Sequence, residues 1–512
     1  MTQPDEHTNT HSLSYLRPEV AALKDRLDVF VRDECIPAEA DYLHHVAQFH
    51  GQDRWTVDAI PPCLKQLQER AKTLGLWNLF LPRHLLDKLP DPSLGPSIVL
   101  TYREYGILCE SLGRCPLLAP QACNTSAPDT GNMEVLLEFG TPQQQQRYLV
   151  PLLRGEMRSA FLMTEPHVAS SDPTNLQTSL RKKQSRRTRP LHYDDNYYST
   201  NDHDEYELTG EKWWSTGAMD PRCRMALVVA KMVDNQTNNN TTTTTTTTTE
   251  KKKNKNRHDS HTIVIVDLPH PSIRMVRPLT VFGYDDAPHG HAQVVLDKVP
   301  LTKDALVAGE GMGFAISQAR LGPGRIHHCM RAIGIGTDPP FFFRERKKPT
   351  CLVSLVVSSP PYCSLFSFIT FVTAQRCYEL MLQRSMERET FGKKLWQHGG
   401  CQELIADSAA DLESARLLTL SCAAAMDHVG AKRARDKIAM IKVRVPELTY
   451  RVVDRALQVF GGAGFCEDYP LASALAALRT LRVADGPDAV HKRTAARIEI
   501  QKSKKRMVQS RL

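Results

Sequence analysis

Two stretches carry residue types suited to chemistry. The first is Phe161-Leu162-Met163-Thr164-Glu165-Pro166-His167-Val168-Ala169-Ser170-Ser171-Asp172. Its apolar start reads as a buried strand. Its tail supplies hydroxyls and free backbone N–H groups, which suit the polar edge of a flat heteroaromatic ligand or an anionic group. The second is Leu481-Arg482-Val483-Ala484-Asp485-Gly486-Pro487-Asp488, a carboxylate on a Gly-Pro turn near the end of the chain. Asp485 could cap the helix that follows; Asp488 could do that instead and leave Asp485 free to act as a base.

Four further blocks lie around these. Gly210-Glu211-Lys212-Trp213-Trp214-Ser215-Thr216-Gly217-Ala218 sets two Trp beside hydroxyls. Such a strand edge can wall a planar ring, although adjacent Trp residues also serve as ordinary core packing. Leu321-Gly322-Pro323-Gly324-Arg325-Ile326-His327-His328 reads as a Gly-Pro segment preceding a helix, with free N–H groups for an anion and Arg325 able to reach it. His327 and His328 are adjacent, so they face different sides of a helix and suit packing or polar contacts rather than a metal. Arg388-Glu389-Thr390-Phe391-Gly392 reads either as a phosphate contact or as an ion-paired surface Arg. Gln458-Val459-Phe460-Gly461-Gly462-Ala463-Gly464-Phe465 could be no more than a glycine helix cap.

These residues need a frame. Residues 1–15 are expected to be disordered, and 16–157 to form a helical domain. In it Leu23, Leu27, Val29, Phe30 and Val31 make an apolar face. The helix after Leu64 ends at Gly75, and Thr141 caps a helix with Pro142 at its first position. Residues 158–305 predict a β domain with short strands at 206–208, 225–230, 262–266 and 292–296. Its low-complexity insertions, 182–204 and 235–260, read as disordered loop extensions. Residues 306–506 return to helical periodicity. Within them 336–373 is apolar, Ser-rich and interrupted by Pro360-Pro361, which excludes a membrane span. Removing it joins Ile335 to Ala374 as one helix, so it reads as translated non-coding sequence. The fold class is α+β, mainly α.

Composition narrows the function classes. Of 512 residues, 41% are hydrophobic and 24% charged, as in an ordinary soluble protein. The net charge of +8 is smaller than the 11 basic residues in the tracts 181–189 and 251–257. Those tracts read as solvated loops, and no structured basic face suggests nucleic acid. The 13 Cys show neither a C-x-x-C pair nor metal-ligand spacing, which argues for a reducing compartment and no metal. The N-terminus lacks the features of a secretory or mitochondrial leader. Residues 507–512 form a tail ending Ser510-Arg511-Leu512, close to the Ser-Lys-Leu peroxisomal address, with helical packing expected to stop before Met507.

In their order along the chain, the blocks resemble signature segments of the acyl-CoA dehydrogenase family, over about 16–505 apart from the insertions. The resemblance implies a helical N-terminal domain, a central β domain and a C-terminal helical bundle. It implies FAD contacted by Phe161, Met163, Thr164, Ser170, Ser171, Trp214, Thr216, Pro487 and Asp488. Arg388, Phe391, Gln458, Gly461 and Gly462 would reach the FAD of a neighbouring subunit in a homodimer or homotetramer. Ser171, Gly322, Arg325 and Gly486 would bind an acyl-CoA, and Asp485 would remove its α-proton while a hydride leaves for the flavin. An electron acceptor, electron-transfer flavoprotein or oxygen, is implied, and fatty acid β-oxidation suits a peroxisome. Two departures stand out: Asp485 replaces the usual Glu, and Gln397-His398-Gly399 stands where the family has a later Gln. The wording around Asp485 and Ser171 is closest to the branch fused to a phosphotransferase-like kinase domain. A flavin oxidase of the same superfamily, or a catalytically silent acyl-CoA-binding flavoprotein, are the rival readings.

Overall fold

The computed structural model describes residues 16–183, 205–233, 260–333, 374–466 and 468–509. The N-terminal residues, most of the three insertions and the Ser510-Arg511-Leu512 address therefore lie outside the described residues.

The N-terminal region is helical. Its longer helices are α1 (Pro18–Phe30), α2 (Ile36–Ala47), α3 (Pro62–Thr73), α4 (Tyr102–Leu112) and α5 (Asp129–Phe139). Leu23, Leu27, Phe30 and Val31 are buried as expected, whereas Val29 is exposed because it falls outside the inward stripe. The helix before Gly75 ends there at φ +71, and Thr141 forms a capping box with Gln144. A second capping box joins Thr101 and Glu104 at the start of α4.

The middle of the chain forms one eight-stranded sheet: β1 (Arg158–Leu162), β2 (Ser179–Lys182), β3 (Tyr206–Thr216), β4 (Cys223–Val233), β5 (His261–Asp267), β6 (Ile273–Leu279), β7 (His291–Leu301) and β8 (Leu306–Val307). The strand order is β6-β7-β3-β1-β4-β5-β8, with β2 pairing β3 and β4. Strands β3, β4 and β7 are longer than the sequence predicts. The apolar runs mark only part of each, while pairing with neighbours carries β3 on to Thr216, β7 on to Leu301 and β4 out to Cys223 and Val233. Both β1 and β2 occupy the slot between β3 and β4. The segment between them leaves the sheet, and this excursion is the hydroxyl-rich Thr164–Asp172 block. The β3–β7 register also shifts between Lys212 and Ser215, and Trp214 there takes φ +50. A bulge of this kind re-aims a side chain.

The C-terminal helices are α6 (Gly313–Ile333), α7 (Ala374–Glu387), α8 (Gly399–Val429), α9 (Arg435–Phe460), α10 (Leu471–Leu481) and α11 (Asp488–Gln509). One expectation is corrected here. Gly322 and Arg325 do not sit before a helix: the Gly-Pro segment lies inside α6, held by the burial of Ile316, Ile326 and Met330 on either side. The helix also continues past Met507, to Gln509, although its residues from 501 on are exposed. Ala332 of α6 and Ala374 of α7 are buried in the same apolar cluster with Val452, Phe460 and Leu478. One large core joins the N-terminal helices, α6, α8 and α9 to one face of the sheet; a second core covers the other face. The eleven described cysteines are free. Among the described residues no helix is long and apolar enough to cross a membrane, and no His/Cys/Asp/Glu cluster could hold a metal.

Candidate active site

A cleft of about 3310 Å³ opens where the three parts meet. Phe161, Met163, Thr164, Ser170, Ser171, Trp214 and Thr216 line one wall, and Arg325, Asp485, Gly486 and Pro487 line another.

The first wall is held from beneath. Lys212, with its side chain fully buried, donates to Glu165 Oε1 (2.9 Å), Met163 O (2.9 Å) and Val229 O (2.7 Å). Glu165 in turn accepts from Gln177 N (2.7 Å) and Thr178 N (2.9 Å). Burial lowers the Lys212 pKa to about 8, with Glu165 opposing; Glu165 itself lies below its usual range, because Lys212 and the two backbone donors outweigh its burial. The pair is therefore charged near neutrality and ties the excursion to the sheet. Ser170 is spent within the turn, where its Oγ accepts from Glu165 N (2.9 Å). Trp213 N donates to Thr164 O (3.0 Å), while its buried indole Nε1 has no partner among the described residues. That orphan donor, the Thr164 and Thr216 hydroxyls and the apolar Met163 and Trp214 surfaces fit a flat ring with a polar edge.

The second wall is the turn between α10 and α11. Asp485 has φ +55 and Gly486 φ +107. Left-handed backbone is open to Asp at modest cost. Gly486 has no alternative, since a Cβ there would lie 2.8 Å from His491 Nε2. The turn is clamped through its carbonyls. Arg325 Nη2 and His491 Nε2 lie 3.2 and 3.1 Å from Asp485 O, and Lys442 Nζ donates to Leu481 O (2.7 Å) and Ala484 O (2.8 Å). Among the described residues the Asp485 N–H has no acceptor.

The Asp485 carboxylate stands 3.8 Å from His328 Nε2. Its burial opposes ionisation, but His328, Lys442, Arg325 and Arg320 outweigh it and hold the carboxyl below its usual range. Burial also pushes the His328 pKa down to about 3. His328 is thus neutral at physiological pH, where Lys442, Arg325 and Arg320 are the charges that favour an ionised Asp485. The cleft is thus lined by a carboxylate that can accept a proton, with cations behind it.

Residues that sequence reasoning missed lie behind this geometry. Arg320 stacks on the Phe161 ring at 3.7 Å and donates to Asn132 Oδ1 (3.1 Å). Lys442 and His491 brace the turn. Arg320 and Lys442 act across long sequence separations that leave no local signal, although a Lys at the centre of an apolar helical face of α9 hints at one; His491 stands only six residues from Asp485, one helical turn into α11. His327 packs edge-on against Tyr105 at 4.6 Å, so the paired His do face different sides. Asp488 does not cap α11 with its side chain and does not line the cleft. Its Oδ2 accepts from Arg482 Nη2 (2.6 Å) and Nε (2.9 Å), a charge-assisted pair that outcompetes capping.

The other predicted contacts are not brought to this cleft. Arg388 and Phe391 lie at the β9 (Glu389–Thr390) and β10 (Lys393–Lys394) hairpin, with Phe391 94% exposed. Gln458, Gly461 and Gly462 are exposed at the end of α9, where Gly461 is the cap residue. At the departure from the family pattern, Gln397 Oε1 accepts from Lys394 N (2.9 Å) and His398 Nε2 lies 3.1 Å from Thr390 O, so both stabilise the hairpin.

A β domain between two helical domains, with a carboxylate and a wall suited to a planar ring lining one cleft, is the architecture that the family comparisons identify. Three family models match in succession: the acyl-CoA dehydrogenase N-terminal domain over 17–156, the middle domain over 160–299 and the C-terminal domain over 366–499. The chain belongs to the acyl-CoA dehydrogenase family. It is 36% identical to the Mycobacterium tuberculosis protein named Probable acyl-CoA dehydrogenase FadE2, covering 94% of this chain and 95% of that one. A Mycobacterium abscessus structure described as an acyl-CoA dehydrogenase aligns with TM-score 0.75 and 35% identity over 95% of this chain and 99% of that chain. Identity to the Arabidopsis thaliana protein named Probable acyl-CoA dehydrogenase IBR3 is 38% over 95% of this chain but 51% of the relative. The chain thus spans about half the length of that relative and of acyl-CoA dehydrogenase family member 11 from Gallus gallus, of which it covers 53%.

Proposed function

We propose that this chain catalyses the α,β-dehydrogenation of a fatty acyl-CoA thioester to the 2-enoyl-CoA, with FAD as cofactor, in fatty acid β-oxidation. The observation that carries the reading is Asp485: an ionised carboxylate on a left-handed turn, clamped through its own carbonyl and aimed into the cleft opposite the Trp213–Thr216 wall. FAD, when bound, supplies the two-electron acceptor chemistry. Thr164, Thr216 and the Trp213 indole N–H offer its polar contacts, and Met163 and Trp214 offer apolar surface. Asp485 accepts the α-proton, and its free backbone N–H is available to the thioester carbonyl, where a fixed donor stabilises developing negative charge. Arg320, Arg325 and Lys442 keep the carboxylate ionised until substrate arrives.

Four finer points extend this reading. The exposed Arg388, Phe391, Gln458 and Gly461 support a homodimer or homotetramer in which they complete a neighbour's FAD site. The Ala484-Asp485-Gly486-Pro487-Asp488 wording supports the branch fused to a phosphotransferase-like kinase domain. The electron acceptor is electron-transfer flavoprotein or oxygen, and the Ser510-Arg511-Leu512 ending supports a peroxisomal address.

An acyl-CoA panel with flavin absorbance as readout tests the core claim. Bleaching by at least one acyl-CoA is expected, and a flavoprotein bleached by none is the silent binder instead. Reoxidation of the reduced protein in air within seconds would assign an oxidase. A fluorescent protein placed upstream of the native C-terminus is expected to give punctate signal that is lost on deleting Leu512; a diffuse signal rejects the address.

A further inference from the structure

Thr216 is a cleft hydroxyl with an imidazole for a partner. It is the cross-strand neighbour of His291 at the start of β7, and His291 Nδ1 lies 3.1 Å from Thr216 Oγ1. The imidazole leans against Trp214, with ring centroids 5.8 Å apart. Its other nitrogen, Nε2, faces Asp286 Oδ2 at 4.0 Å, a gap that a small movement or one water closes. All four residues line the same cleft.

A neutral imidazole carries one N–H and one acceptor nitrogen, and a charge beside one nitrogen decides which is which. An ionised Asp286 draws the proton to Nε2. Nδ1 then accepts, the Thr216 O–H is turned toward His291, and the Thr216 oxygen is left to accept from a ligand. A protonated Asp286 favours the other tautomer. Nδ1–H then donates to Thr216, whose own O–H is released to donate into the cleft.

We propose that His291, steered by Asp286, is a positioning residue that sets whether the Thr216 hydroxyl donates to or accepts from the bound cofactor. The inference rests on the reading of the cleft as a flavin site. It gives that site a use for reversibility: a ring edge that accepts a hydrogen bond when oxidised carries an N–H when reduced, and a fixed hydroxyl would suit one form only. Changing between the two arrangements moves one proton off Asp286 to solvent and shifts the imidazole proton from Nδ1 to Nε2.

The surroundings favour such a change near neutrality. Burial keeps His291 neutral, lowering its pKa to about 4, and burial together with Asp285 raises Asp286 to about 7. The other charged or titratable groups facing Asp286 are committed elsewhere. Arg54 pairs with Asp285 (2.8 Å), Asp220 is held by Arg222 (2.9 Å) and His289 (2.6 Å), and burial raises the Tyr42 phenol above its usual range.

The test uses wild type, Asp286→Asn, His291→Phe and His291→Asn in the full chain. In the FAD-loaded proteins, the flavin midpoint potential is followed from about pH 6 to pH 8 by visible spectroscopy. In the apo-proteins, ¹⁵N-histidine NMR follows the His291 tautomer over the same range. The wild-type potential is expected to show an inflection near pH 7 that Asp286→Asn and His291→Phe both lack. His291→Phe should also weaken FAD binding about fivefold, the size of one neutral hydrogen bond, and His291→Asn should recover most of that. The apo-protein should pass from Nδ1–H to Nε2–H as pH rises, and Asp286→Asn should not. Identical potential profiles in all four proteins, or a tautomer that does not move with pH, overturns the inference. Failure of every variant and of wild type to bind FAD rejects the proposed function instead, and the apo-protein spectra still decide the His291 assignment.

Discussion

The turn at Asp485 and the hairpin at Arg388 carry equally recognisable motifs, yet they are built in opposite ways. Asp485 is surrounded: Arg325, His491 and Lys442 hold the backbone of its turn, and its carboxylate faces the interior of one chain. Arg388, Phe391, Gln458, Gly461 and Gly462 are laid out on the surface, with a Phe ring almost wholly in solvent. Burial of that ring would be favourable, and among the described residues of one chain nothing covers it. The contrast separates chemistry that one copy completes from contacts that a second copy is proposed to complete.

The sharpest way to break that comparison is Asp485→Asn. It keeps shape and removes proton-accepting capacity, so flavin reduction by acyl-CoA should fall by at least about a hundredfold while FAD stays bound. Stopped-flow absorbance measures it. If Asp488→Asn is the dead variant and Asp485→Asn stays active, the base is misassigned. Next comes Lys442→Met, which strips the Leu481 and Ala484 carbonyls of their shared donor. A loss of about 1–3 kcal/mol in denaturant unfolding is expected, with impaired reduction, because the turn loses its brace. An unchanged unfolding midpoint would show that the turn holds itself.

Arg388→Ala probes the other region. Its effect should be on cofactor retention, about tenfold in FAD affinity, with monomer stability untouched, the loss expected of one charge-assisted phosphate contact. Equal FAD affinity in variant and wild type, measured by fluorescence titration, would remove the second copy from the site.

The smallest expected effect is electrostatic. Burial raises the Glu134 pKa to about 8, with Arg320 opposing, and its Oε1 has no partner among the described residues. The folded state keeps a proton that the unfolded chain releases above its ordinary value of 4.5. Stability therefore declines as pH rises from 4.5 toward about 8 and levels off beyond. Glu134→Gln should flatten that slope in thermal melts across the window. An unchanged slope would assign the decline to another buried acid, such as Asp286.

Much of the first wall was legible in sequence because its residues lie within one short block and one strand. Met163, Thr164, Trp214 and Thr216 meet at the cleft as their motifs imply, and so does Asp485. What was not legible acts at a distance. Gly322 and its neighbours look like helix breakers, yet tertiary burial along α6 carries a helix through them. Lys442 gains its role only where α10 ends above it, with the Leu481 and Ala484 carbonyls within reach of its Nζ. Arg325 looks aimed at a ligand, but its guanidinium is taken up by the carbonyl of the residue it would assist. His291 has no motif; it matters because a strand register places it beside Thr216. Asp488 shows the same limit, since its cap role depends on where Arg482 falls.

The left-handed backbone of Asp485 has a genetic consequence. Asn is the residue that most easily replaces Asp at such a φ, so the change that abolishes the base keeps the backbone of the turn, at the electrostatic cost of leaving Lys442, Arg325 and Arg320 without its charge. A chain carrying Asp485→Asn would survive, load cofactor and enter oligomers beside normal copies. Because Asp485 serves the cleft of its own chain while Arg388 and Gly461 are proposed to serve a neighbour's, such a chain would still complete its neighbour's cofactor site, and mixed assemblies would lose activity only in proportion to the variant copies they contain.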